Sequence, residues 1–162
     1  MVIVVMGVSG SGKTTVGQAL AAAVGAEFRD ADDYHPRENV EKMARGIPLT
    51  DEDRAPWLDV LRELIDEWRT GPGILVLACS ALTRWTRQRL GLDREGIRIV
   101  HLDGDRALLA DRMRERRPHH FMPPELLDSQ LALLERPHRA LVLDPAQPVG
   151  RLVAEIRRTL SL

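Results

Sequence analysis

Only one cysteine, Cys79, occurs among the 162 residues, so no internal disulfide can staple the fold. A surplus of charge is missing too. The 23 Lys+Arg residues stand against 24 Asp+Glu, and a net charge of −1 provides no overall field for a polyanion, which argues against nucleic acid as a partner. Long apolar runs are absent. The strongest near the N-terminus, Val2 to Met6, is far too short to span a bilayer and has no basic residues before it as a signal peptide would. These features predict a cytoplasmic protein with no membrane partner. Asparagine is almost missing: Asn39 stands alone and is followed by Val40, so a guanine-reading NKxD element cannot form and a switch GTPase is disfavoured. Low-complexity tracts and internal repeats are also lacking, and the ten prolines and twelve glycines are scattered as punctuation. The expectation is a single domain spanning 1–162, large enough to bury a core without staples.

What remains is an alternation of two patterns. Short β-rich apolar runs at Val2 to Met6, Ile74 to Ala78, Ile97 to Leu102 and Ala140 to Leu143, with a weaker one at Ala26 to Arg29, predict buried parallel strands. Between them lie helical patterns. Trp57, Leu58, Leu61, Leu64, Ile65 and Trp68 recur at steps of three and four, with Thr50 and Asp53 as the N-cap signal. Val149, Leu152, Val153, Ile156 and Leu160 repeat the pattern near the end of the chain, after a proline at 148 suited to a first helical turn. The predicted class is α/β, a five-stranded, mostly parallel sheet with helices on both faces. Two excursions are expected from it: an acceptor side at about 36–70 and a lid at about 113–130.

The first run leads directly into Gly7-Val8-Ser9-Gly10-Ser11-Gly12-Lys13-Thr14, which satisfies GxxxxGK(S/T) and is followed by a helical stretch. This is a P-loop in its required strand–helix context. Its glycines let consecutive backbone N–H groups turn inward around phosphate oxygens, and the following helix aims its positive end at the same place. Gly7 to Thr15 are therefore predicted to bind nucleotide, Lys13 to reach the β- and γ-phosphates, and the Thr14 hydroxyl to ligate Mg²⁺. The third run ends in Ala78-Cys79-Ser80, without the Walker B aspartate, so another carboxylate must serve the metal. Asp30, Asp32 and Asp33 follow the second run. Alternation along an extended segment would send Asp30 and Asp32 to one side, Asp30 toward hydrated Mg²⁺ and Asp32 toward an acceptor hydroxyl.

Four blocks carry a family resemblance. The P-loop is followed by Asp30-Ala31-Asp32-Asp33-Tyr34-His35-Pro36 with Asn39, Lys42-Met43, Gly46, Pro48-Leu49-Thr50-Asp51, Asp53-Arg54 and Pro56-Trp57-Leu58. Next come Cys79-Ser80-Ala81-Leu82, then His120-Phe121-Met122-Pro123 with Leu126-Leu127, Ser129-Gln130 and Leu134-Glu135. Together they resemble the gluconokinases, from Gly7 to Glu135. The resemblance implies ATP-dependent phosphorylation of D-gluconate on its 6-hydroxyl, with Mg²⁺, and is compatible with a homodimer. In one place the chain departs from the pattern: Pro118-His119 stand where the family has a glycine before its His-Phe-Met block, which puts lid geometry in question. Another small-molecule or nucleoside-monophosphate kinase of the same fold, or a non-catalytic nucleotide-binding module, remains an alternative at this level.

The residue chemistry suits a small polyhydroxy acid, whose site needs a cation for the carboxylate and polar groups for the hydroxyls. Arg54 is the first candidate for the carboxylate; a helix-surface arginine paired with Asp51 or Asp53 is the plain alternative. Ser80 is a candidate for the hydroxyls, against a role as N-cap of the helix containing Trp85. His35, Lys42, Arg84 and His120 complete the expected substrate set. Four arginines, Arg112, Arg114, Arg116 and Arg117, crowd the predicted lid. Arg112 resembles the adenine-stacking residue of related kinases, and Arg116 or Arg117 the arginine that closes over the transferred phosphoryl group. Catalysis is thus assigned to Lys13, Asp32 and Arg117. Cys79, ending an apolar run, reads as a core residue.

Overall fold

A computed structural model describes residues 1–115 and 125–162. Five strands form one sheet: β1 (Val2–Met6), β2 (Glu27–Asp30), β3 (Leu75–Ala78), β4 (Ile97–Leu102) and β5 (Leu141–Leu143). Their order is β2-β3-β1-β4-β5 and every pairing is parallel, with Val4 opposite Leu77 on one side and Ile99 on the other. The weak run near residue 26 does become a strand. It is shifted one residue onward, to Asp30, because its ladder with β3 continues until Asp30 meets Ala78.

The sheet is covered on both sides, and the period-two alternation of β1 shows how. Val2, Val4 and Met6 face one layer, where α3 (Asp51–Thr70) and α4 (Arg84–Leu90) pack Trp57, Leu58, Leu61, Ile65 and Leu90 against them. Ile3 and Val5 face the other. There α1 (Lys13–Val24) and α7 (Val149–Leu160) supply Val16, Leu20, Leu152, Val153 and Ile156. Each such side chain, withdrawn from water, contributes ~1.5 to 3 kcal/mol. The long helix at 51–70 is accordingly a structural layer of the core, and of the expected acceptor-side excursion only α2 (Arg37–Ala44) and the segment leading to Thr50 stand clear of that layer.

Helix ends follow local chemistry. Thr50 and Asp53 form a reciprocal capping box: the Asp53 N–H donates to the Thr50 hydroxyl at 3.1 Å and the Thr50 N–H to the Asp53 carboxylate at 2.9 Å. Pro148 occupies the N-cap of α7, one position before the first turn where the sequence pattern put it. The remaining helices, α5 (Arg106–Glu115) and α6 (Glu125–Leu133), bury Leu109, Met113 and Leu127 around Val8 of the phosphate loop. No described helix is long and apolar enough to cross a membrane.

Near the carboxyl end of β4 lies His101, 1% exposed, and neither ring nitrogen has a hydrogen-bond partner among the described residues. Burial holds its pKa below the ordinary 6.5; Asp103 pulls the other way, and Arg136 and Arg87 add to the lowering. Because the folded chain keeps this imidazole neutral, the unfolded chain takes up the proton first as pH falls through 6.5, so stability is lost on acidification and is unaffected above that range. Melting curves at about pH 7.5 and about pH 5.5 should show a smaller acid-induced drop in Tm for His101→Leu than for the parent chain. Equal drops would mean that His101 carries none of the effect.

Candidate active site

The phosphate loop sits at the carboxyl edge of β1, and its glycines are required by shape. Gly7 has φ 150° and Gly10 φ 80°, and a Cβ on Gly7 would stand 2.8 Å from the Leu102 carbonyl oxygen, on Gly10 3.0 Å from that of Leu109. Gly12 caps α1 with no side-chain hydrogen bond, and no acidic residue stands in the first turn. The first amides of the helix therefore lack an internal partner and aim their positive end into the loop, an arrangement suited to phosphate. The Lys13 ammonium donates to the Val8 carbonyl at 3.1 Å, which folds it across the loop. Thr15 is exposed on the first turn of α1.

Across the end of β3, the Thr14 hydroxyl donates to the Asp30 carboxylate at 2.9 Å. The two residues singled out for metal are thus in contact, and their oxygen-only donors suit a hard cation such as Mg²⁺, which takes one or two protein ligands and fills its remaining positions with phosphate and water. The expected alternation of Asp30 and Asp32 along an extended segment is not what occurs. The chain is extended only to Asp30; Ala31–Tyr34 then form a turn of 3-10 helix, with the Asp32 N–H donating to the other Asp30 oxygen at 3.1 Å. Asp30 can cap this turn because its side chain satisfies an amide two residues on, which favours the turn over a longer strand. That bond keeps the backbone of Asp32 against the Asp30 carboxylate, and Asp32 is exposed.

On the acceptor side, Trp57 of α3 is 5% exposed, and its indole N–H donates to the Ala31 carbonyl at 2.7 Å. It also stacks on His35, with ring centroids 4.1 Å apart and planes 14° from parallel. Burial lowers the His35 pKa to about 4, with the Arg54 charge adding to the effect, so His35 is a neutral wall at physiological pH. Lys42 donates to Asp53 at 2.7 Å; that bond, and those from Thr50, hold Asp53 down at about 2. Asn39, 3% exposed, ties α2 to α3 through its amide and the Asp53 carbonyl at 2.8 Å. Arg54 lies near His35 and meets Asp51 at 3.6 Å, a long pair to a carboxylate that is 69% exposed.

Other expected residues are distributed differently. Ser80 is half-buried and is not the cap of α4; Thr83 is, its hydroxyl accepting the Thr86 N–H at 3.1 Å. Just after Ser80, Ala81 takes φ 44°, and the Arg87 guanidinium fixes that bend by donating to the carbonyls of Ala81 and Leu82 at 2.8 and 3.0 Å. Arg84 is not gathered with the acceptor group: its side chain meets His138 at 3.4 Å, on the far side of α4's first turn. Cys79 is 2% exposed, and burial raises its pKa to about 12, which leaves an inert thiol. Arg112 reaches the loop, its guanidinium 3.8 Å from where a Cβ on Gly12 would stand and donating to the Pro145 carbonyl at 2.6 Å. Arg114, by contrast, pairs with Asp111 on the surface. Arg116, Arg117 and His120, together with the Pro118-His119 departure, lie outside the described residues.

Two contacts were not foreseen from the sequence. Gln130 of α6 accepts the Ser9 N–H of the loop at 2.7 Å, and Trp57 joins the acidic turn to α3. Both residues fall within the blocks that resemble the gluconokinases, and Trp57 also in the apolar helical pattern, but neither signal named these partners.

Known proteins share these features. A family model described as AAA domain matches residues 2–137. A gluconokinase from Gluconobacter oxydans is 52% identical over 136 residues, covering 83% of this chain and 75% of that protein. Among solved structures, a gluconokinase from Sinorhizobium meliloti superposes with a TM-score of 0.82 at 42% identity, covering 98% of this chain and 94% of that one. A sugar kinase from a Janibacter species superposes at 0.87 and 45%, covering 99% and 94%. The parallel sheet, the phosphate loop and the carboxylates beside it define a P-loop kinase. Within that class, the chain belongs to the gluconokinase family.

Trp57 positions the acidic turn without touching either carboxylate. In Trp57→Phe the stacking on His35 is largely kept and the bond to Ala31 is lost, so turnover should fall by about tenfold to a hundredfold while ATP affinity, measured by calorimetry well below the melting temperature, stays within about twofold. Equal losses in both quantities would point to general loosening instead.

Proposed function

We propose that this chain transfers the γ-phosphoryl group of ATP to the 6-hydroxyl of D-gluconate, releasing ADP and 6-phosphogluconate. What carries the assignment to a sugar acid is the state of the cations on the acceptor side. Lysine occurs only at positions 13 and 42, and Lys42 is committed to Asp53. His35 is neutral. Of the acceptor-side arginines, Arg37 is paired with Glu41 and Arg45 lies exposed at the end of α2, whereas Arg54 stands beside His35 with charge to offer a carboxylate, since its own partner, Asp51, is largely in water and is held at long range. The names of the similar proteins support the same substrate.

In this reading the phosphates lie along the amides from Gly7 to Thr15, with Lys13 on their charge and Arg112 against the base. Asp32 orients the 6-hydroxyl and accepts its proton; in a loose transition state that proton leaves late, so orientation contributes more than basicity. Mg²⁺, when bound, neutralises charge on the β- and γ-phosphates, and Thr14 and Asp30 are the residues that would hold it. Ser80, which follows β3 and does not cap α4, bonds a substrate hydroxyl. Arg116, Arg117 and His120 are assigned to the closing lid by family resemblance.

Lys13→Ala should lower kcat by a hundredfold or more with little change in melting temperature, read by coupled ADP release and thermal melting; full activity would refute the assignment. Selectivity tests the substrate itself. An unpaired guanidinium facing a neutral sugar costs about 1 to 3 kcal/mol, so the parent chain should favour gluconate over glucose by roughly tenfold or more in kcat/KM. Arg54→Leu should erase most of that ratio by lowering the gluconate value and leaving glucose nearly unchanged. If the ratio is retained, the carboxylate is read elsewhere.

A further inference from the structure

A second cleft, of about 800 Å³, opens along the sheet where β4 and β5 begin, between α4 and the end of α7. It is separate from the site above. In a parallel sheet the amino ends of the strands lie opposite the carboxyl ends, and Ile97 and Leu141 of this cleft open their strands, whereas the phosphate loop and Asp30 stand at the far edge. None of the residues lining it belongs to the loop or to the acidic turn.

Its charge is unbalanced. Arg84, Arg87, Arg98 and Arg139 line it together with the carboxylates Asp93 and Glu95, yet none of the four arginines forms an ion pair among the described residues. A fifth arginine of the cleft, Arg94, does find a carboxylate, converging with Arg62 and Arg69 on Asp66. Arg84 instead lies against the His138 ring at 3.4 Å, without a carboxylate. Burial, together with the neighbouring charge of Arg84, lowers the pKa of Arg87, although Glu135 opposes the effect; its guanidinium is thus a desolvated cation bonded to carbonyls and to no carboxylate. Guanidinium groups gathered without counter-charge suit the bidentate geometry of phosphate, and the volume matches a small molecule.

We propose that this cleft binds a small molecule bearing a phosphate group, independently of the ATP site. Arg84, Arg98 and Arg139, all exposed, supply the attraction, and the half-buried Arg87 receives the phosphate at the inner wall. Arg87 also clamps the bend after Ser80, so the occupant would draw on a side chain that reaches the carboxyl edge of β3.

The test uses inorganic pyrophosphate as probe, titrated by calorimetry into the full chain whose loop is saturated with a non-hydrolysable ATP analogue. The expected result is one further pyrophosphate per chain, weakened at least tenfold in the Arg98→Ala/Arg139→Ala double variant and abolished in Arg139→Glu. Gluconate kinase activity and melting temperature without pyrophosphate should match the parent chain in both variants. The proposal is overturned if no pyrophosphate binds once the loop is filled, or if both variants bind it as the parent does.

Discussion

The hydrogen bond between Thr14 and Asp30 is the contact on which the rest of the site depends. It joins the helix that follows β1 to the end of β2, two strands that are not neighbours, since β3 lies between them. Adjacent strands stand about 4.8 Å apart, so the contact spans roughly two such intervals. It can form because β3 finishes in Ala78 and is followed by Cys79, both small and buried, where a larger side chain would fill the gap. With no carboxylate on β3, a metal that accompanies the phosphates has its protein oxygens on Thr14 and Asp30, and the place of the acidic turn is set by the sheet.

From Asp30 the constraint passes outward. Its second oxygen caps the turn that carries Asp32, Ala31 receives the Trp57 indole, and Trp57 stacks on His35 while it lies in the core layer of α3. Trp57, buried and polar at its tip, thus ties the acceptor side to the hydrophobic core, together with Ala31 and Tyr34 of the turn itself. Lys42, Asn39 and Asp53 tie α2 to the start of α3 in the same way. That network consumes one of the two lysines and leaves Arg54, beside His35, with charge to offer, so substrate choice in the proposed reaction follows from how the acceptor side is built.

Much of this was legible in the chain. The phosphate loop, the five strands and the Thr50–Asp53 capping box depend on residues close in sequence, whose spacing alone determines what they can bond. Where a longer-range partner decides, the local pattern is silent or misleading. Strand alternation placed Asp30 and Asp32 on one side, but the Asp30 carboxylate captures a nearby amide and turns the chain. Ser80 and Thr83 are both plausible caps for α4, and the bend at Ala81 hands the role to Thr83. Nothing in the spacing of Arg84 indicates that it turns toward His138, and the bond from Ser9 to Gln130 crosses 121 residues. Family resemblance marked several such positions without supplying a reason.

Separate roles for two carboxylates joined by a single amide form the central claim, and Asp30→Asn and Asp32→Asn measured side by side test it most directly. Turnover should be followed against Mg²⁺ concentration, and ATP affinity by calorimetry on the same preparations. Asp32→Asn should bind ATP as the parent chain does and lose turnover at every Mg²⁺ concentration, while Asp30→Asn should recover part of its turnover as Mg²⁺ is raised. Rescue of Asp32→Asn by Mg²⁺, with Asp30→Asn nearly normal, would contradict the assignment.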